Sequence, residues 1–154
     1  MIKLPKIISI IKFANENVDY SGYVRILDLD RLANFLHKSQ EDTNLYINVA
    51  ANRDLQHRCI LHLEIKGELV LICQRCLDKL SFTIDKKLDL IALNSIDNIA
   101  NKEGSYEPIL IDEDGKINFY DIISDEIILS IPQVPRHDDV KCTKVSDIIQ
   151  FEEV

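Results

Sequence analysis

Residues 58–92 read RCILHLEIKGELVLICQRCLDKLSFTIDKKLDLIA. In its first half Leu61, Leu63 and Ile65 alternate with His62, Glu64 and Lys66. Successive side chains of a strand point to opposite faces, so this alternation marks a strand with one face buried. In the second half Leu80, Phe82, Ile84, Leu88, Leu90 and Ala92 resume the pattern. The halves meet at Cys73-Gln74-Arg75-Cys76, which reads as a turn. The simplest arrangement is a long antiparallel hairpin whose first strand spans Arg58–Ile72, with a bulge at Lys86 where the apolar phase is interrupted.

Before the hairpin, Leu45, Ile47, Val49 and Ala51 alternate with Asn44, Tyr46, Asn48 and Ala50 and predict another half-buried strand, closed by a turn at Asn52-Arg53-Asp54. Ile7–Phe13 reads as a first strand, Tyr20-Ser21-Gly22 as a turn and Tyr23–Leu27 as a short strand. Asp28 stands before Leu29, Leu32, Ala33 and Leu36, the spacing of a capped amphipathic helix. Beyond the hairpin, residues 94–106 are polar and acidic and predict a mobile loop. Pro108–Ile111 and Lys116–Phe119 flank Asp112-Glu113-Asp114-Gly115, as in a second hairpin. Asn118 is a helix cap with Asp121 in the first turn; Phe119, Ile122, Ile123, Ile127 and Ile131 form the buried stripe, ended by Pro132. Residues 132–154 read as an extended segment with a short helix around Val145–Ile149. The sum is one α+β domain over residues 1–154: a mostly antiparallel sheet, open or barrel-like, with two or three short helices.

The 154 residues are 46% hydrophobic, enough for one core and too many for wholesale disorder. A formal net charge of −8 opposes a broad electrostatic grip on nucleic acid. The longest purely apolar run, Leu69–Cys73, is far short of the roughly 20 residues that span a bilayer. Near the N-terminus Ser9 and Lys12 break up the isoleucines, and Ala14-Asn15-Glu16 offers no cleavage site for a secretory signal. The expectation is a soluble cytoplasmic protein whose four cysteines serve as thiols or metal ligands rather than as disulfides.

Two thiolates on a tight turn can share one tetrahedral ion, so Cys73-x-x-Cys76 is half of a structural zinc site. His137 and Cys142, in a proline-bounded loop, are the candidates for the other half. The residues leave open whether zinc is bound, whether reduced cysteines merely order the turn, or whether the pair cycles as a dithiol. Cys59 reads as core, and His37, His57 and His62 as surface residues without a neighbouring nucleophile. Asp112-Glu113-Asp114 and Asp125-Glu126 read as solvated acids. Walker, dinucleotide, G-x-S-x-G and H-E-x-x-H patterns are absent, and nothing argues for an enzyme. Arg75, Lys86, Lys87, Arg136 and Lys141 are candidates for contact with RNA or a partner, provided that the hairpin and the C-terminal segment meet.

An ordered set of short motifs runs through the chain: Lys3-Leu4-Pro5, Asp19-Tyr20-Ser21-Gly22, Cys73-Gln74-Arg75-Cys76 and Tyr106-Glu107-Pro108-Ile109. It continues with Asp125-Glu126-Ile127-Ile128-Leu129 and Pro132-x-Val134-Pro135-x-His137, ending at Cys142. Together these resemble the bacterial YceD family, the large ribosomal RNA subunit accumulation proteins. The resemblance implies a non-enzymatic role in the synthesis, processing or stability of 23S rRNA, and so in large-subunit assembly. Some members carry further cysteine pairs near the C-terminus where this chain has His137 and Cys142. Implied partners are pre-ribosomal large-subunit RNA or a basic ribosomal protein or assembly factor. The acidic net charge favours the protein partner. Outside that resemblance stand two other readings, a zinc-stapled interaction module unconnected with ribosomes and a C-x-x-C redox protein.

Overall fold

The central hairpin forms as the alternation requires. In the computed structural model, which describes residues 2–93 and 106–138, strand β5 (Cys59–Ile72) pairs antiparallel with β6 (Lys79–Leu93). Their register runs unbroken from Ile60 opposite Ile91 to Ile72 opposite Lys79. The expected bulge at Lys86 is therefore not there. Lys86 lies opposite the fully buried Ile65, so it keeps the phase of Leu80, Phe82, Ile84 and Leu88 and lies on the core side of the strand. The apparent interruption was a charged residue in an apolar row.

Six strands make the main sheet, in the order β1-β3-β4-β5-β6-β7. These are β1 (Ile2–Lys3), β3 (Asp19–Arg25), β4 (Asn44–Arg53), β5, β6 and β7 (Glu107–Leu110). Neighbours are antiparallel from β3 to β6, and the two edge pairs, β1 with β3 and β6 with β7, are parallel. The edge strands do not meet, so the sheet is open and the barrel-like alternative falls. A second, two-stranded sheet joins β2 (Ile7–Ser9) to β8 (Lys116–Asn118).

Among the described residues, two helices and a pair of 3-10 turns complete the layer against the sheet's apolar face. Helix α1 (Ile10–Asn15) follows β2 directly, where the sequence suggested a strand running to Phe13. Ser9 decides the change: its side-chain oxygen accepts from the Lys12 backbone N–H and caps a helix. The segment after Asp28 winds as 3-10 turns, Ile26–Asp28 and Asp30–Phe35, rather than as the capped α-helix. Asp28 caps nothing there and instead meets Lys3 at 2.9 Å. Helix α2 (Phe119–Ser130) is capped by Asn118, whose side chain accepts from Asp121 N–H at 3.2 Å, as its sequence predicts. It buries Phe119, Tyr120, Ile123 and Ile127.

Two turn assignments change for different reasons. The turn at Asp112–Gly115 forms, with Gly115 at φ 71°, but β7 and β8 on either side of it do not pair with each other. Pairing β8 with β2 sets Ile117 opposite Ile8, and both are buried. Four-residue segments carry too little pattern to specify that partner. Tyr20-Ser21-Gly22 is strand, not turn. Gly22 is there because β1 runs alongside: a Cβ would sit 2.5 Å from the Ile2 carbonyl oxygen. Gly22→Ala is expected to cost about 1–3 kcal/mol, read from the denaturant midpoint, because a backbone atom cannot yield as a side chain does. An unchanged midpoint would show that β1 is not held at this edge.

One core cluster holds the layers together and includes Ile10, Ile26, Leu32, Leu45, Ile65 and Phe119. The opposite face of the sheet is polar except at one end, where Ile60, Ile91 and Leu93 form a small second cluster with Tyr106. The expected mobile loop (residues 94–106) falls outside the described residues except for Tyr106, as does the expected helix at Val145–Ile149. Residues 132–138, beyond α2, carry no regular structure, and the rest of the segment expected to be extended lies outside the described residues.

Candidate metal centre

The turn between β5 and β6 is a knuckle. Cys73 N–H donates to the Asp78 carbonyl at 3.0 Å, and Leu77 N–H donates back to the Cys73 carbonyl at 2.8 Å. Closing so tight a loop places Leu77 at φ 63°, a left-handed conformation that disfavours a side chain. Both thiols point inward, and Cys73 and Cys76 are buried.

Pro132 ends α2 and sends the chain across the hairpin tip. Gln74 N–H donates to the Pro135 carbonyl at 2.7 Å, which ties the two segments together. His137 then arrives beside the cysteines. Its Nδ1 lies 3.5 Å from Cys76 Sγ, and its Nε2 donates to the Lys79 carbonyl at 2.7 Å. The contact between hairpin and C-terminal segment that the sequence could only suppose is thus formed.

Ligating atoms of Cys73, Cys76 and His137 all lie within 4.8 Å of one another. Sulfur and nitrogen donors on one tetrahedral zinc stand roughly 3.6 Å apart, from bonds of about 2.3 and 2.0–2.1 Å, close to the Cys76–His137 distance. The Lys79 carbonyl fixes the imidazole so that Nδ1 keeps its lone pair for the thiols or an ion, an orienting contact typical of metal-bound histidine. The donor set fits a structural zinc site. Its expected fourth member, Cys142, lies outside the described residues.

Electrostatics favours thiolate here. Burial pushes the Cys73 thiol up, but the backbone N–H groups of Cys76, His137 and Arg75 and the Cys76 thiol outweigh it, bringing Cys73 to about 6. The Lys79 carbonyl raises His137 above its ordinary value, against burial and with help from Cys73.

The candidate contact cations separate. Arg75 lies in the knuckle, half-buried, and Arg136 is exposed beside His137. Lys86 and Lys87 lie roughly 23–26 Å along β6 from Lys79 at about 3.3 Å per residue. They also face opposite ways. Lys87 is on the polar face, 4.0 Å from Glu64, whereas Lys86 turns to α2 and lies 2.9 Å from Glu126 Oε2. Glu126, expected to be a solvated acid, is buried. Lys141 falls outside the described residues.

Of the histidines read as surface residues, His62 is held on the polar face between Asp89 at 2.6 Å and Asn52 at 2.7 Å. A groove beside the knuckle has no sequence signal, because Asn34, Phe35, Gln74 and Gln133 line it from three separate segments.

The family model described as large ribosomal RNA subunit accumulation protein YceD matches residues 61–153, from the β5–β6 hairpin to the C-terminal segment. A Haemophilus influenzae protein named large ribosomal RNA subunit accumulation protein YceD is 30% identical over 145 residues, covering 92% of this chain and 80% of its own length. The chain belongs to the YceD family. No solved structure matches it. The YceD match thus takes in Cys73, Cys76 and His137, although the family name itself says nothing about a metal. Among the described residues no helix is long and apolar enough to cross a membrane.

Proposed function

We propose that this protein supports the accumulation of large-subunit ribosomal RNA as a non-enzymatic factor that binds the assembling particle, with its hairpin tip stapled by zinc. The observation that carries the reading is the match over 92% of the chain to a relative named for that role. Zinc is supported by the knuckle geometry: Cys73, Cys76 and His137 converge, and Cys142 follows five residues after His137. A closed set of four protein ligands holds structure and leaves no open position for chemistry. Burial of both thiols weighs against dithiol exchange, which needs access to the attacking sulfur.

Gradient sedimentation of a cell lysate tests the particle reading. The protein is expected to migrate with large-subunit precursors in low salt and to leave them after ribonuclease treatment or in high salt. Recovery at the top of the gradient under gentle conditions would refute it.

A further inference from the structure

Beside the knuckle lies a groove of about 430 Å³, inside the range of small-ligand sites. One wall is the 3-10 turn that ends at Phe35, another is the hairpin tip at Gln74, and the third is the end of α2 with the segment Ile131–Pro135. Its lining is uncharged and of two kinds. Phe35, Ile131 and Pro135 are apolar; Asn34, Gln74 and Gln133 bring side-chain amides, each with donors and an acceptor. Phe35 remains 39% exposed, an aromatic side chain only partly covered by its own protein.

Charge at this end differs from the rest of the chain. Gln74 adjoins Arg75, and Pro135 adjoins Arg136, while Lys79 lines a separate pocket with Glu41 and Glu68. The two arginines, with His137, balance Asp78 and Asp138, on a protein whose net charge is −8. An apolar slot with an available aromatic ring and amide groups, and with Arg75 and Arg136 next in sequence to its lining, matches the chemistry of one unpaired nucleotide. The base stacks on the ring and offers its edge to the amides, and the flanking phosphates meet the cations. A segment of a basic ribosomal protein would find no acidic residue in the lining to pair with.

We infer that this groove takes an unpaired base of single-stranded RNA, with Phe35 as the stacking platform and Arg75 and Arg136 as phosphate contacts. The inference rests on the proposed role at the pre-ribosomal particle and names its contact. It confines RNA binding to one end of the molecule, which is how an acidic protein avoids an unspecific grip on nucleic acid.

The test uses the full-length protein and a fluorescein-labelled single-stranded RNA octamer of mixed sequence, read by anisotropy in low salt. Two controls carry the argument: the same strand in a duplex, and an abasic octamer with all its phosphates. Single-stranded RNA is expected to bind roughly tenfold or more tightly than either control, and Phe35→Ala to lose about the same factor. Arg136→Glu is expected to weaken binding and flatten its salt dependence. Phe35→Ala is compared only where its melting temperature matches the parent. As a second measurement, a 4-thiouridine octamer is expected to cross-link to the peptides carrying Phe35 or Gln74. Absence of binding, equal affinity for the abasic strand or the duplex, or cross-links elsewhere would overturn the inference. A photoreactive group at position 133 that captures a ribosomal protein in place of RNA would do the same. If the protein still migrates with large-subunit precursors, only the groove inference falls and the assembly role stands.

Discussion

Metal-stripped protein given Zn²⁺ in excess is expected to melt about 10 °C higher than in the presence of a chelator. Free zinc at 1,000 times its dissociation constant adds about 4 kcal/mol, and each kcal/mol moves the melting point of a chain this size by about 2–4 °C. The gain arises because His137 and the knuckle come from distant parts of the sequence and are joined directly by a few polar contacts, among them Gln74 to Pro135 and His137 to Lys79. An ion held by Cys73, Cys76 and His137 would couple the end of α2 to the tip of β5 and β6. Cys73→Ser and Cys76→Ser are each expected to abolish the zinc-dependent shift, and Cys142→Ser to do so if that residue is the fourth donor. Cys59→Ser is the control: Cys59 is buried in the main core, away from the knuckle, so zinc should still raise its melting point. Equal melting with zinc and with chelator, and no metal on elemental analysis, would leave the cysteines as reduced thiols that order a turn.

How much of this was legible follows from the length of each signal. Long alternating strands announced themselves: β4, β5 and β6 run for 10, 14 and 15 residues, and their pattern fixed both strand and buried face. Asn118 and Pro132 marked α2 at both ends. Short segments failed because partners outside them decide their state. Gly22 looked like a turn residue until β1 was found against it, and Ile7–Phe13 looked like a strand because the cap at Ser9 is a single hydroxyl. For the site, the two cysteines and His137 were readable as ligand types, and the structure supplied their meeting. The groove was not readable at all. Its lining has no motif, only a shared place in the fold.

Lys86→Met is expected to destabilise the protein by about 3 kcal/mol, and a second substitution, Glu126→Leu, to restore most of the loss. Lys86 lies on the core row of β6, and its Nζ reaches Glu126 Oε2 of α2 at 2.9 Å, an ionic contact that leaves this buried oxygen without a well-directed hydrogen bond. Removing the cation strands a carboxylate in the interior. Removing both partners lets apolar side chains fill the interface between helix and sheet, which is why the double change recovers. The pH dependence gives an independent reading. Burial raises the Glu126 carboxyl above its ordinary 4.5; Lys86 pulls it down and Glu107 pushes it further up. A carboxyl with a raised folded-state value binds more protons folded than unfolded, so its contribution to stability falls as pH rises through the window above 4.5. Glu126→Gln removes this titration and is expected to flatten the stability curve across that window, while Lys86→Met steepens it, because the carboxyl then rises further. Parallel curves for the parent and both variants, followed by urea midpoints from pH 4 to 8, would show that the pair does not hold α2 to the sheet.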